Sequence, residues 1–303
     1  MSMENYDLSV VICVRNGAEV ISRQLNALDA QVTDKAFEIV IVDNGSEDNT
    51  WQVLEDWKNN REHAAKNIVL VHGPETPGIP AARNAGVRAT SGRVIAFCDA
   101  DDQVVPGWVE AFSTVQENEL AGGWIRNYYP EGTTGPDMFP KGLIATTYLP
   151  HIGNGNCAIT RATFFRNGGY DESLPRYGYE DVEFSWRHQE RGGVMRFIPE
   201  ATLYFTPSEG KASVRKKFAL GTGRVMMARR FPKYDSNQYT FGSTTVDFLK
   251  NLTQSVRVAA QNRPALKRQL SITVASAGRV WGTLKYSGKN HYPQPKLLTE
   301  NDA

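Results

Sequence analysis

Little in this chain points to an oxidising compartment or to a membrane span. Its three cysteines, Cys13, Cys98 and Cys157, lie far apart, form no C-x-x-C pair and cannot make an even-numbered disulfide framework. They read as small core residues of a reduced, cytoplasmic protein. No apolar run approaches the roughly 20 residues of a spanning helix. Met1 to Asp7 lacks the basic-then-apolar order of a signal peptide. No repeat at solenoid or propeller periods is present. The turn after the first apolar run has no G-x-G-x-x-G, which disfavours a dinucleotide-dependent dehydrogenase. No nucleic-acid recognition motif accompanies the basic residues, so nucleic acid is not an expected partner.

What is present is an ordinary globular composition with an uneven distribution of charge. The 303 residues are 41% hydrophobic and 22% charged, enough for one large or two ordinary domains. The net charge of +1 conceals an acidic body and a basic tail. Residues 211–303 hold 17 Lys and Arg against 4 Asp and Glu, a net of +13, which leaves −12 on residues 1–210. Two domains are expected on that ground, 1–210 and a basic, mainly helical extension over 211–303. No acidic residue occurs between Lys211 and Pro232.

Strand and helix signals alternate from Leu8 to about Glu119. Apolar runs at Leu8–Val14, Phe37–Val42, Asn67–Val71 and Val94–Cys98 predict buried strands. Helical spacing follows each, from Ala18 to Ala30, through Trp51, Leu54 and Trp57, over Ala81–Thr90, and after Pro106, which suits a first turn. Ser46 is expected to cap the second helix. This order predicts an α/β fold, a Rossmann-like, mostly parallel sheet flanked by helices. A strand is also expected over Gly122–Tyr129, a long Gly/Pro/Thr-rich irregular segment over Pro130–Asn156, and a short strand at Cys157–Thr160. A helix follows from Val182 to Arg191, with Glu180 and Asp181 at its start. Two closing strands, Val194–Ile198 and Thr202–Phe205, and helices over Lys211–Arg230, Val246–Gln261 and Pro264–Tyr286 complete the reading.

In such sheets ligands bind outside the carboxyl ends of the strands. Here those ends carry Arg15-Asn16, Asp43 and the run Asp99-Ala100-Asp101-Asp102. In extended chain Asp99 and Asp101 share a face. Two like charges held there repel unless a cation or a hydroxyl-rich ligand lies between them. A solvated acidic turn is the ordinary alternative for an isolated D-x-D. Turn chemistry is the alternative for Asp43, helix capping for Asp181 and a surface helix position for Arg83. His151 reads as a solvated loop residue. Trp124, Trp186 and Trp281 read as core or rim residues.

Five motifs stand in order: S-V-V-I-C-V-R-N-G, E-I-V-I-V-D-N-G-S-E-D-N-T, A-A-R-N-A-G, F-C-D-A-D-D, and G-Y-E-D followed by an Arg on the next helix. Between Leu8 and Phe205 the chain resembles the inverting family 2 glycosyltransferases of the GT-A fold. The resemblance implies that Val14, Arg15 and Asn16 line a nucleotide pocket. It implies that Asp43 accepts from the base, as from the imide N–H of uracil, with Ser46 nearby. Gly78, Arg83 and Asn84 would approach base, ribose or diphosphate. Asp99, with Ala100 beside it, would bind ribose hydroxyls or metal, and Asp101 would hold a Mg²⁺ or Mn²⁺ that bridges the phosphates. Asp181 would be the general base, with Glu180 orienting the acceptor sugar or the Gly-rich loop.

The implied activity is transfer from a nucleoside diphosphate sugar, UDP first, to a glycan, lipid-linked or other hydroxyl acceptor with inversion. Such chemistry needs one base and a stabilised leaving group, and no second acid. Two positions depart from the family pattern. Leu203-Tyr204-Phe205-Thr206-Pro207 has no His where many relatives carry one, leaving Tyr204 as a possible phosphate contact, and Val14-Arg15 replaces a small pair. The basic tail allows peripheral docking on an anionic inner membrane leaflet, or a solvated helical face paired with the acidic body. A catalytically idle nucleotide-binding scaffold recruited to a membrane is the alternative function.

Overall fold

The computed structural model describes residues 6–59, 62–75, 78–128, 134–137, 142–175, 178–206, 214–234, 239–259, 263–287, 293–299 and 302. Four apolar runs form parallel strands, β1 (Leu8–Val14), β2 (Phe37–Asp43), β3 (Asn67–His72) and β4 (Val94–Cys98), in the order β3-β2-β1-β4. The side chains of β1, β2 and β4 are buried on both faces, and edge strand β3 is half-buried. Val10, Ile12, Ile39, Ile41 and Ala96 enter one core, and Val11, Val40, Ile95 and Phe97 enter another. A strand apolar on both sides requires helices on both sides. The first core is closed by α1 (Ile21–Asp29), α2 (Thr50–Asn59) and α4 (Trp108–Ser113) through Leu25, Leu54 and Trp108. The second is closed by α3 (Ile79–Arg88), α5 (Arg161–Arg166) and α6 (Glu180–Glu190) through Val87, Phe164 and Phe184. At Gly86 a Cβ would sit 2.6 Å from Val11 Cγ1 and 3.0 Å from Val42 Cγ2, so α3 lies close on the sheet only because that residue is glycine.

Beyond β4 the sheet is mixed. β8 (Asn156–Thr160) runs antiparallel to β4 and to β6 (Glu119–Tyr128), and β9 (Val194–Phe205) runs parallel to β6. β5 (Gln103–Val104) closes the edge against β9, and β7 (Thr134–Asp137) pairs with β6, giving nine strands among the described residues. The two expected closing strands are one bent strand. Its register on β6 shifts between Gly123 and Ile125, opposite Pro199, which has no N–H to give the ladder. Buried Asn156 braces this half. Its Oδ1 accepts from Trp108 Nε1 at 2.8 Å, and its Nδ2 donates to the Trp124 and Ala201 carbonyls at 3.0 and 2.8 Å.

Several local expectations are corrected. Ser46 does not cap α2; its hydroxyl accepts from the Asn16 amide, and Asp48 Oδ1 takes the Thr50 amide instead. Pro106 precedes α4 by two residues, and Gly107, at φ 84°, stands at the cap. The segment read as irregular over Pro130–Asn156 contains β7 and a bridge between Ile144 and His151; residues 130–133 and 138–141 of it lie outside the described residues, as do 211–213 in the basic segment.

The chain divides into two compact units, Met1–Glu172 with Glu180–Pro207 and Leu297–Ala303, and Ser173–Tyr179 with Ser208–Lys296. The second contains α7 (Val214–Arg230), α8 (Phe241–Ala259) and α9 (Arg263–Lys285), with α9 packed on both others. Among the described residues no helix is long and apolar enough to cross a membrane.

His151 is buried, not solvated. Burial pushes its imidazole down to about 4, against an ordinary value near 6.5. Between those values the unfolded chain binds the extra proton, so this contribution is complete above pH 6.5 and is lost as pH falls towards 4. It amounts to about 3 kcal/mol. Urea unfolding across that range should show a steep acid loss that His151→Gln flattens; equal slopes in the two proteins would refute it.

Candidate active site

The ends of β1, β2 and β4 open onto a cleft of about 400 Å³. It is lined by Cys13, Val14, Arg15, Asn16, Gly17, Val20, Asn44, Ile79, Arg83, Asp99, Ala100, Asp101 and Glu180. Its floor is made by lacing the loop after β1 to the loop after β2. Asn16 takes the left-handed conformation at φ 52°, which Asn tolerates better than most residues. Its amide donates to Ser46 Oγ at 2.9 Å and its Oδ1 accepts from the Glu47 amide at 2.8 Å. Arg15 lies across the same loop, donating to the Gly45 carbonyl and to Glu47 Oε1 at 3.2 and 3.1 Å. Asp43 Oδ1 accepts from the Ser46 amide at 3.0 Å.

Arg83 of α3 joins the two acidic walls. Its Nη2 donates to Asp99 Oδ1 at 3.2 Å, and its Nη1 donates to Glu180 Oε1 at 3.1 Å. Arg83 is 7% and Glu180 9% exposed, so neither charge is compensated by water. The neighbouring Asn84 faces away from the cleft. Its Nδ2 donates to the Tyr170 carbonyl at 2.8 Å and to Glu172 Oε1 at 3.1 Å, and its Oδ1 accepts from the Tyr170 amide at 2.9 Å. It clamps the turn before α6 and has no amide group left for a ligand. The Arg on the helix after G-Y-E-D does similar structural work, since Arg187 forks onto Glu183 at 2.7 and 2.8 Å and donates to the Gly169 carbonyl.

The acidic cluster is held together against repulsion. Burial first, and then the charge of Asp99, pushes the Asp101 carboxyl up. Asp102, only 2% exposed, is driven up to about 8 by burial and then by Asp99 and Asp101. The Arg23 guanidinium donates to the Asp101 carbonyl, and the Thr206 amide donates to Asp102 Oδ1 at 3.3 Å. The end of β9, which has no His, thus contributes a backbone N–H. Tyr204 leans on Tyr128 with ring centroids 5.4 Å apart and does not line the cleft. Gly155 lets the loop before β8 approach, because a Cβ there would stand 2.8 Å from Asp99 Oδ2. Asp99 and Asp101 are hard oxygen donors under mutual repulsion, a set that fits a divalent cation sharing its remaining coordination with a ligand. No cluster of three protein ligands occurs among the described residues.

At the start of α6, Glu180 is raised by burial and then by the charge of Asp181, against the pull of Arg83. Asp181 is raised by its packing, while the Val182 amide, 2.7 Å from Oδ1, and Arg83 pull it down. A carboxylate held above its ordinary range is a better proton acceptor near neutrality. Cys13 is no rival nucleophile, since burial pushes its thiol up to about 12.

Of the residues singled out from sequence, Val14, Arg15, Asn16, Arg83, Asp99, Ala100, Asp101 and Glu180 line the cleft. Asp43, Ser46, Gly78, Asn84 and Asp181 stand beside or behind it. Cys13, Gly17, Val20, Asn44 and Ile79 were missed, although each except Val20 adjoins a selected residue in sequence. Asn44 is buried and its Oδ1 has no donor among the described residues. Trp186 is core, Trp124 carries the Arg126 guanidinium 4.1 Å from its ring, and Trp281 is 51% exposed.

Residues 9–170 match the family model described as "Glycosyl transferase family 2", over half of the chain. The chain belongs to that family. It is 28% identical over 228 residues to the glycosyltransferase AglE of Haloferax volcanii, covering 73% of each protein. To the UDP-Glc:alpha-D-GlcNAc-diphosphoundecaprenol beta-1,3-glucosyltransferase WfaP of Escherichia coli it is 26% identical over 215 residues, 69% of this chain and 80% of that one. It spans only 35% of the Escherichia coli chondroitin synthase, to which it is 24% identical. Among solved structures it resembles the mannosyltransferase PcManGT from Pyrobaculum calidifontis in complex with GDP-Man and Mn²⁺, with a TM-score of 0.58 and 15% identity over 91% of this chain and 88% of that one. Staphylococcus aureus TarS 1–349 in complex with UDP-GlcNAc gives 0.54 and 17% over 92% of each. The fold of this glycosyltransferase is therefore GT-A.

Removing Arg83 strands a buried Glu180. Arg83→Met should cost about 3 kcal/mol or more near neutral pH. Because Arg83 opposes the upward shift of Glu180, the loss should shrink as pH falls and that carboxyl protonates. Urea titrations of both proteins at several pH values test this, and a loss independent of pH would refute it.

Proposed function

We propose that this family 2 enzyme transfers a sugar from a nucleoside diphosphate sugar, UDP first, to a hydroxyl acceptor with inversion. The observation that carries the reading is the Arg83 fork, which sets the Asp99–Asp101 carboxylates opposite Glu180 across one cleft. The nucleotide enters over the laced floor. Val14, Arg15, Asn16 and Ala100 line its path, with Asp43, Asn44 and Ser46 presented to the base and Gly78 at the α3 N-terminus near the diphosphate. Asp99 takes ribose hydroxyls or metal. Asp99 and Asp101 would hold Mg²⁺ or Mn²⁺, which supplies charge stabilisation to the departing diphosphate. The neighbours bound to UDP-GlcNAc, GDP-Man and Mn²⁺ support this reading.

Inversion is an in-line displacement. The acceptor oxygen forms a bond to the anomeric carbon while the bond from that carbon to the phosphate oxygen breaks. The nucleoside diphosphate leaves with the electron pair, and the acceptor proton passes to the Asp181 carboxylate. Glu180, tied to Arg83, orients the acceptor beside it. Acceptors carried on a glycan or on a lipid-linked carrier both present the hydroxyl required. The idle-scaffold reading is not favoured, because it leaves the raised Glu180–Asp181 pair without a task.

A panel of UDP-, GDP- and dTDP-sugars, scored for slow sugar release with and without Mn²⁺, should single out one donor. Asp181→Asn should lower transfer by at least about 10³-fold while nucleotide-induced thermal stabilisation stays intact. Turnover by that variant at the wild-type rate would refute the base assignment.

A further inference from the structure

We infer that the α8–α9 hairpin lies on the surface of an anionic lipid bilayer, its outward apolar faces in the headgroup boundary. In α8 and α9 the buried side chains are hydroxyls, Thr244, Ser255, Thr273, Ser276 and Thr283, while large apolar ones stand outside. Of the fourteen large hydrophobic side chains that stand exposed among the described residues, eleven belong to the second unit. On α8, Leu249, Leu252 and Val256 follow helical spacing on one exposed stripe. On α9, Leu270, Trp281 and Leu284 do the same, at 46%, 51% and 51% exposure.

The seams between these helices are polar. Ser255 and Thr273 meet at 2.8 Å, the Thr273 hydroxyl donates to the Asn251 carbonyl at 3.1 Å, and Arg279 pairs with Asp247 at 2.5 Å. Ser276 and Thr283 are buried. On the α7 side, Gly221 and Gly278 allow backbone contact, since a Cβ on either would stand within 2.2 Å of a carbonyl oxygen of the facing helix. Hydroxyl-lined seams, glycine-mediated approach and an apolar exterior are how helices pack when their outer surroundings are lipid. None of these helices is apolar enough to span. Lying in the interface plane is the remaining arrangement for such a surface.

Charge selects the occupant. Residues 211–303 carry 17 Lys and Arg against 4 Asp and Glu. Lys250 and Arg257, seven residues apart on one line of α8, are exposed beside the apolar stripe, and Lys267 and Arg268 are exposed on α9. A second copy would set this charge against itself. An anionic leaflet attracts it.

The test is sedimentation of the full chain with phosphatidylcholine vesicles, either pure or containing about one third phosphatidylglycerol. The wild type should pellet with the anionic vesicles and stay in the supernatant with the neutral ones. Leu249→Ser with Leu252→Ser and Val256→Ser should weaken partitioning at least about tenfold. Trp281→Ser with Leu284→Ser, made separately on α9, should do likewise, with thermal melts confirming that each variant is folded. Lys250→Glu with Arg257→Glu should abolish the preference for anionic lipid. The inference is overturned if the wild type stays in the supernatant, or if the folded serine variants pellet like it. It is overturned equally if light scattering finds a dimer that the serine substitutions dissociate and that ignores vesicles.

Discussion

A single guanidinium holds the cleft in shape. Arg83 is buried on α3 and touches Asp99 at the end of β4 and Glu180 at the start of α6. Two elements far apart in sequence, each ending in carboxylates, would otherwise repel across a narrow gap. One positive charge between them converts that repulsion into a fixed spacing. The arrangement makes α3 the reference element of the site, and α3 is itself fixed from two sides. Gly86 seats it on β1 and β2, and Asn84 ties it to the peptide of Tyr170.

The carboxylates show the same logic on the other side. Burial, and then the charges of Asp99 and Asp101, hold the Asp102 carboxyl well above the ordinary carboxylate range. Arg83, Arg23 and the Thr206 amide relieve only part of this. A site that keeps like charges together at a cost to the fold is one in which a cation or a transferring group alters the balance when it arrives. On the opposite wall burial likewise raises Glu180 and Asp181.

Much of this was legible from the residues alone because it is local. A buried parallel strand is an apolar run, and its carboxyl end is wherever the run stops; Val14 and Cys98 close their strands where the pattern says, and β2 runs one residue past the expected Val42, to Asp43. The glycosyltransferase family and the GT-A fold are a different kind of reading, a resemblance carried by five motifs in order. What was not legible depends on long-range pairing. The antiparallel β8 next to β4, the single bent β9 and the β7 pairing join segments with no local signal of their partner. Ser46 resembles a cap in sequence, yet the Asn16 amide arrives from a loop 30 residues away and takes its hydroxyl. His151 looks like a loop residue until the bridge to Ile144 encloses it.

The C-terminal helices show a subtler limit. Hydrophobic periodicity establishes that a helix has an apolar face, but not whether that face is turned inward. In α8 and α9 it is the Ser, Thr and Asn face that is buried, so the usual assumption gives the reverse of the arrangement. Bulk charge drew notice to Lys211–Arg230, whereas the exposed apolar surface lies mostly on the two helices after it. The chain end then leaves this unit altogether. Leu298 enters the second core of the catalytic unit, its amide donates to the Gly168 carbonyl at 2.7 Å, and Asp302 pairs with Arg88 at the end of α3. The turn it covers, Gly168–Tyr170, is the one that Asn84 grips. The last residues therefore buttress the helix that carries Arg83, and the cleft depends on a segment more than 200 residues away from that arginine in sequence.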